Sequence, residues 1–195
     1  LAGTIPINQF VQVLGVGDIK ISAISPRTGT VMFKVGDYNC EYTAFRKEKY
    51  FGGTHTPIST QPTDNIVEDA LRRDFKCNAV YYDILNEKLV DPLGGINDIN
   101  NKIIDTVDSP DIVFSADGLR LMRLARFVGE LNFKPTYDVI KSATKFADNI
   151  LDISKERIFT ELKLIINADK KYAFSDPLGH YNALKVLDQT KVLDR

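Results

Sequence analysis

Near residue 110 the chain changes character, and this change limits the folds open to it more than any other feature. From Ser115 onward glycine and proline become scarce, and apolar residues recur with helical spacing over 116–131, 136–147, 154–168 and 180–188. Thr136 and Ser154 stand where helix N-caps are expected, and Ser154 opens Ser-Lys-Glu-Arg, close to a capping arrangement. Before the change, strand-like runs dominate. Ile19-Lys20-Ile21 alternates, and the β-rich stretches 30–35 and 38–45 flank Gly36-Asp37, a hairpin signal. Short helices are expected over 7–14, 66–71 and 97–102, and the Gly-, Thr- and Pro-rich stretch 52–63 reads as a mobile loop. The expected fold is therefore α+β. Residues 1–110 would form a β-sheet with flanking helices, and residues 111–195 an all-helical domain.

Charge narrows the function classes. The formal net charge of the 195 residues is −1, so no global basic field draws nucleic acid to the chain. Any site for a nucleotide or RNA must be a local cluster of Lys and Arg. Cys40 and Cys77 form no CxxC pair, and the two histidines are too few to complete a zinc set. Two separate thiols fit a reducing, cytoplasmic setting. No apolar run has the length of a membrane span and no signal peptide opens the sequence, so no membrane partner is expected. The opening Leu1-Ala2-Gly3-Thr4 lacks the character of a native start, and a processed or truncated chain is expected.

Four constellations could carry chemistry. In Arg72-Arg73-Asp74, an arginine fork could hold phosphate oxygens while the carboxylate fixes its orientation. From these three residues alone, an ordinary Arg–Asp pair closing a helix end is the favoured reading. In Asp117-Gly118-Leu119-Arg120-Leu121-Met122-Arg123-Leu124-Ala125-Arg126, the Asp and first Arg lie three apart and share a helix face. The three arginines drift by about 60° per step, giving a winding basic stripe on an otherwise apolar helix. An Asp and an Arg together offer an acceptor and donors to a base edge. A salt-bridge network to partner helices explains the same residues equally well. Gly94-Gly95 permits a tight turn or close backbone approach. Glu41 is an acid in an otherwise apolar strand, where a metal ligand and an exposed edge glutamate are both possible, the second being the commoner.

Taken in order, these segments resemble the motifs of tRNA nucleotidyltransferases of the CCA-adding type and of bacterial poly(A) polymerases. The resemblance rests on Gly29-Thr30-Val31, Cys40 through Arg46, Arg72-Arg73-Asp74-Phe75 with Asn78-Ala79, Asp91-Pro92 with Gly94-Gly95, Asp117 with Arg120, and Ser154 through Arg157 with Glu161-Leu162. It covers nearly the whole chain from about residue 28. It implies a partial nucleotidyltransferase head followed by an all-helical neck. It also implies template-independent addition of CMP or AMP from CTP or ATP to the 3′ end of tRNA or another RNA, with Mg2+ as cofactor. By position, Asp117 and Arg120 would pair with the base edge, and Arg73, Arg123 and Arg126 would contact phosphates or sugar. Asp74 and Asn78 would support the same pocket, and Glu41 matches a third metal carboxylate. The principal Asp-x-Asp metal pair is expected upstream of Leu1, leaving no catalytic residue within the chain, and the 195-residue piece alone is expected to lack transferase activity. Ala116 stands where the family carries an acid. A non-catalytic nucleotide- or RNA-binding module and a poly(A) polymerase are the alternatives.

Overall fold

The computed structural model describes residues 1–17, 19–26, 28–49, 59–168 and 183–194. In chain order the first elements are strand β1 (Ala2–Gly3), helix α1 (Ile7–Val16) and strands β2 (Lys20–Ser25), β3 (Thr30–Val35) and β4 (Tyr38–Ala44). The sheet order is β1-β4-β3-β2, with β1 parallel to β4 and the other pairs antiparallel. The expected hairpin is present, with Gly36 at φ +56° in its turn and Val35 paired with Tyr38. Apolar α1 residues reach the sheet through aromatic contacts. Phe10 stacks on Tyr42 with centroids 3.8 Å apart and meets Phe33 edge-on at 5.7 Å. Leu14, Val31, Phe33 and Tyr42 form the buried centre of this small core.

Strands β5 (Arg46–Lys49) and β6 (Ser59–Pro62) pair antiparallel, so the end of the expected 52–63 loop is a strand. Residues 52–58 of that expected loop lie outside the described residues. Helix α2 (Ile66–Leu71) starts at Asn65, whose side chain accepts from the Val67 N–H. It closes with an ion pair between Arg72 Nε and the fully buried Asp69 at 2.7 Å.

From Arg73 onward the described residues pack as a second compact unit, so packing groups residues 73–110 with the helices rather than with the first sheet. Compositional change near 110 and compactness are different quantities: the first marks where glycine and proline thin out, the second where side chains share a core. The second unit contains the hairpin β7 (Tyr81–Asp83) and β8 (Lys88–Val90), helix α3 (Gly95–Asn101), strand β9 (Ile103–Ile104) and helices α4 (Pro110–Ala116) and α5 (Leu119–Leu131). Strand β10 (Lys134–Pro135), which pairs parallel with β9, is followed by α6 (Tyr137–Lys145), α7 (Lys155–Asn167) and α8 (Ala183–Thr190). Phe75, Ile104, Phe114, Met122, Leu124, Val139, Ile165 and Val186 are buried together at its centre.

Two expectations need correction. The helix expected over 116–131 is broken at Asp117-Gly118, where Asp117 takes an extended conformation (φ −150°, ψ 111°) between α4 and α5. Asp117 and Arg120 therefore do not share a helix face. Thr136 caps α6 by accepting from Val139 N–H, but Ser154 makes no side-chain cap bond, and only its carbonyl engages Arg157 and Ile158. The last expected helix begins at Ala183, and residues 180–182 lie outside the described set.

Gly95 opens α3 against the preceding 3-10 turn, Lys76–Asn78. A Cβ there would sit 2.1 Å from the Lys76 carbonyl oxygen, which is backbone and has little room to yield. Gly95→Ala is expected to cost about 1–3 kcal/mol, the usual range for overpacking, read as a lowered midpoint in urea unfolding.

Candidate functional site

Asp74 lies just before the 3-10 turn, in a segment fixed by the Phe75–Thr106 bridge and by Val107 N–H donating to the Asp74 carbonyl. Its side chain is 3% exposed. A buried carboxylate is costly unless its lone pairs are met, and here they are. Oδ1 accepts from Phe75 N–H at 2.9 Å and from Asn78 Nδ2 at 3.1 Å. Oδ2 sits in the fork of Arg123, 2.6 Å from Nε and 2.5 Å from Nη2. Burial pushes the Asp74 carboxyl up, but the Arg123 charge and these hydrogen bonds outweigh it and hold the pKa below the ordinary value.

Arg73 does not pair with its neighbour Asp74 in this way. Its Nε donates to Tyr81 Oη and its Nη1 to the Asn78 carbonyl, each at 3.1 Å, and its Cζ lies 4.8 Å from the Tyr81 ring centroid. Arg73, Asp74 and Asn78 are thus interlocked through one short turn. Cys77 within that turn is pushed up to about 12 by burial and then by Asp74 and Asp98, so its thiol stays protonated.

Helix α5 supplies the remaining cations. Arg120 is 7% exposed and donates from Nη1 to the Val113 carbonyl of α4 at 3.2 Å. Arg126 pairs through Nε with Glu161 of α7 at 2.7 Å and through Nη1 with Glu130 at 2.9 Å. Glu161, 6% exposed, also lies 3.8 Å from Arg123 Nη1. Phe127 sits between the two: its ring centroid is 4.8 Å from Arg126 Cζ, 5.5 Å from Arg123 Cζ and 5.3 Å from the Phe75 ring. Asp117 stands one residue before the N-cap Gly118 of α5, and its Oδ1 accepts from Leu119 N–H at 2.9 Å. The Gly118 that follows is obligatory, since a Cβ there would meet the Asn149 carbonyl at 2.2 Å.

The structure thus brings Arg73, Asp74, Asn78, Arg123 and Arg126 into one network, with Asp117 and Arg120 at the start of the helix that carries it. Tyr81, Glu130 and Glu161 complete the network and were not singled out as site residues. Glu130 was accessible from its i+4 spacing to Arg126. Glu161 was accessible as the single acid on the Ile158–Leu162–Ile165 face of α7.

Glu41 belongs to the first unit, on an exposed position of β4, where its Oε1 accepts from Thr43 Oγ1 at 3.3 Å. Among the described residues no three His, Cys, Asp or Glu side chains converge on a point that could hold a metal ion. Glu41 therefore does not fit a Mg2+ centre by itself, because such a centre needs several oxygen ligands in near-octahedral array. No described helix is long and apolar enough to cross a membrane.

The family described as Poly A polymerase head domain matches residues 8–105, and that described as Probable RNA and SrmB- binding site of polymerase A matches residues 132–191. The CCA-adding enzyme of Staphylococcus epidermidis is 35% identical over 156 residues, 80% of this chain and 39% of its own length. That of Bacillus pumilus is 32% identical over 177 residues, 90% of this chain and 41% of its own. The chain accordingly spans about two fifths of the length of these curated relatives. The crystal structure of Bacillus stearothermophilus CCA-adding enzyme in complex with CTP superposes with a TM-score of 0.76 at 27% identity, covering 96% of this chain and 41% of that one. The Thermotoga maritima CCA-adding enzyme complexed with a tRNA shares the fold, with a TM-score of 0.71 at 18% identity over 99% of this chain and 41% of that one.

A carboxyl held below its unfolded value stabilises the fold fully above about pH 4, and the contribution is lost as pH falls through the lower folded value. Asp74 is such a group. Asp74→Asn should lower stability at neutral pH by roughly 3 kcal/mol, as when one partner of a buried pair is removed, and should flatten the acid-side loss. Urea unfolding followed by circular dichroism from about pH 3 to about pH 7 measures both.

Proposed function

Since the chain belongs to the poly(A) polymerase head-domain family, we propose that it is the nucleotide-selecting part of a tRNA nucleotidyltransferase, which adds CMP and AMP from CTP and ATP to an RNA 3′ end. One observation carries this reading: a buried helix, α5, delivers three arginines beside a turn that supplies Arg73, Asp74 and Asn78. Such forks suit phosphate oxygens, and the shared carboxylates hold them in fixed orientation before any ligand arrives. Among the described residues, Arg123 Nη1 has only the long contact to Glu161 and Arg126 engages its acids through Nε and Nη1, which leaves guanidinium N–H groups for an anionic ligand. At the head of α5, Asp117 presents an acceptor and Arg120 donors, a pattern able to distinguish a base edge. The relatives' naming as CCA-adding enzymes, one of them solved with CTP, supports CTP and ATP as the nucleotides and tRNA as the acceptor.

In the parent protein the RNA 3′-hydroxyl would attack the α-phosphorus and pyrophosphate would leave. For a reaction of this class we assign Mg2+ as the divalent ion of the parent. Glu41 and its surroundings do not fit it, and no step is routed through them. The residues of this chain bind and orient the nucleotide. A cytoplasmic location follows from tRNA as substrate and from the separate thiols.

A second reading has an observation of its own. Asp74, Glu130 and Glu161 all take arginines of the stripe, which is also what a brace between helices requires. Titration calorimetry with CTP, ATP and GTP separates the two. The nucleotide reading expects CTP and ATP to bind and GTP to bind more weakly, with Arg120→Lys, which keeps a cation and most of the buried bulk but not the guanidinium fork, reducing CTP affinity at least tenfold while the melting temperature falls by only a few degrees. A large loss of stability with CTP affinity unchanged would sink it.

A further inference from the structure

Helix α3 buries two residues, Gly95 and Asp98, which lie three apart and so share one face. That face is pressed against the 3-10 turn, where Gly95 touches the Lys76 backbone. Asp98 is 7% exposed, and its Oδ2 is the single buried side-chain oxygen or nitrogen without a hydrogen-bond partner among the described residues. The other buried acids, Asp69, Asp74 and Glu161, each hold an arginine. An unmet carboxylate in such a place is costly. The cation that acts on Asp98 is already engaged: Lys76 Nζ donates to Asp105 Oδ2 at 2.5 Å, and Lys76 N–H to the Asp105 carbonyl at 3.0 Å. Asp91 spends its oxygens on the Gly95 and Ile96 N–H groups at 2.8 and 2.9 Å, capping α3. These acids therefore do not converge as metal ligands. The charged and titratable groups around Asp98 are Lys76 and Cys77 of the turn, Asp105 beyond β9 and Asp91 before α3.

We propose that Lys76 has two seats, the Asp105 carboxylate it occupies and the orphaned Asp98 carboxylate, and that exchange between them is a latch on the turn that presents Arg73, Asp74 and Asn78. A lysine suits the task, since its compact ammonium carries three donors on a flexible stem. Exchange moves one side chain and changes the load on the turn without unseating Asp74. Burial pushes the Asp98 carboxyl above its ordinary value, Lys76 draws it back, and Asp105 and Asp91 add to the push. Below that raised value Asp98 is neutral and makes no claim on Lys76. The stability Asp98 contributes is whole below its unfolded value and is lost as pH rises through the raised one, where the second seat becomes charged. The proposal regulates the nucleotide site and rests on that reading for its meaning, while the shared ammonium is a separate physical matter.

The test introduces Lys76→Met into four backgrounds and reads the urea midpoint at about pH 7. The backgrounds are the natural chain, Asp98→Asn, Asp105→Asn and the two together. With two seats, Lys76→Met lowers the midpoint in the first three and falls silent only in the last, keeping at least half of its effect in Asp105→Asn. Silence already in Asp105→Asn overturns the proposal. A crystal structure of Asp105→Asn should place Lys76 Nζ within hydrogen-bond distance of Asp98 Oδ2, and an ammonium turned to solvent would also overturn it. In CTP calorimetry, Asp98→Asn and Asp105→Asn strand Lys76 on opposite seats and should differ in affinity at least threefold. Equal affinities, in a chain that binds CTP, would overturn the latch. If the chain does not bind CTP at all, the nucleotide reading of the arginines falls, and the four backgrounds still decide between one seat and two.

Discussion

The bond between Asp74 and Arg123 is the constraint around which the second unit is arranged. It joins residues 49 apart in sequence at 2.5–2.6 Å, with the carboxylate almost sealed from water. A buried ion pair stabilises little by itself, because desolvation offsets most of the attraction. What it does is make alternative packings expensive. If the turn after Arg73 shifted, Asp74 would lose the fork, Asn78 and Phe75 N–H together and leave a bare charge inside. The core around Phe75, Phe114 and Met122 is held in register by the same fixed point.

From that point outward the arginines alternate between acids and aromatic faces. Arg73 lies on Tyr81, Arg123 and Arg126 flank Phe127, and Glu161 reaches across from α7. Each guanidinium is planar and its rotamer is fixed by more than one contact, so the donors left over have set directions. A ligand with several anionic oxygens would find donors already ordered, avoiding part of the entropy cost of arranging flexible side chains. Bracing and binding are therefore compatible uses of one set of residues. The acids that neutralise the stripe also aim it.

The strands and helices were readable wherever periodicity was long and turns were signalled chemically. The β3–β4 hairpin followed from Gly36-Asp37, and α6 from Thr136 and its apolar repeat. The turn at Asp117-Gly118 was passed over because the helical spacing assigned from residue 116 runs through it, although Asp-Gly is itself a turn signal and Gly118 is pressed against the Asn149 carbonyl. Arg72 does close a helix end, but on Asp69 rather than on the Asp74 beside it, while Arg73 turns to Asn78 and Tyr81 and Asp74 finds Arg123, a long-range partner that no local window contains. The candidate site was legible as a collection of residue types and not as a wiring diagram. Which acid meets which arginine depends on how α5 and α7 cross, and Glu161 gave notice of itself as part of the resembling Ser154–Leu162 segment and as a charge on an apolar face, not as the partner of Arg126. Ser154 shows the opposite failure: the right residue stands at the right position, yet its hydroxyl takes no part in the cap.

The parallel pairing of β9 with β10 has a bearing on modularity. In sequence Ile103–Ile104 precede α4 and Lys134–Pro135 follow α5, so the strand pair staples the stretch after Arg73 to the helices that follow. The two segments matched by separate families, 8–105 and 132–191, are thereby sutured inside one packing unit. Recombination between relatives at residue 105 would sever a β-ladder and separate Asp74 from its arginine. An exchange of parts that preserves the fold has its seam near Arg72, and lineages that shuffle these halves would be constrained to carry the turn and the helices as a single heritable block.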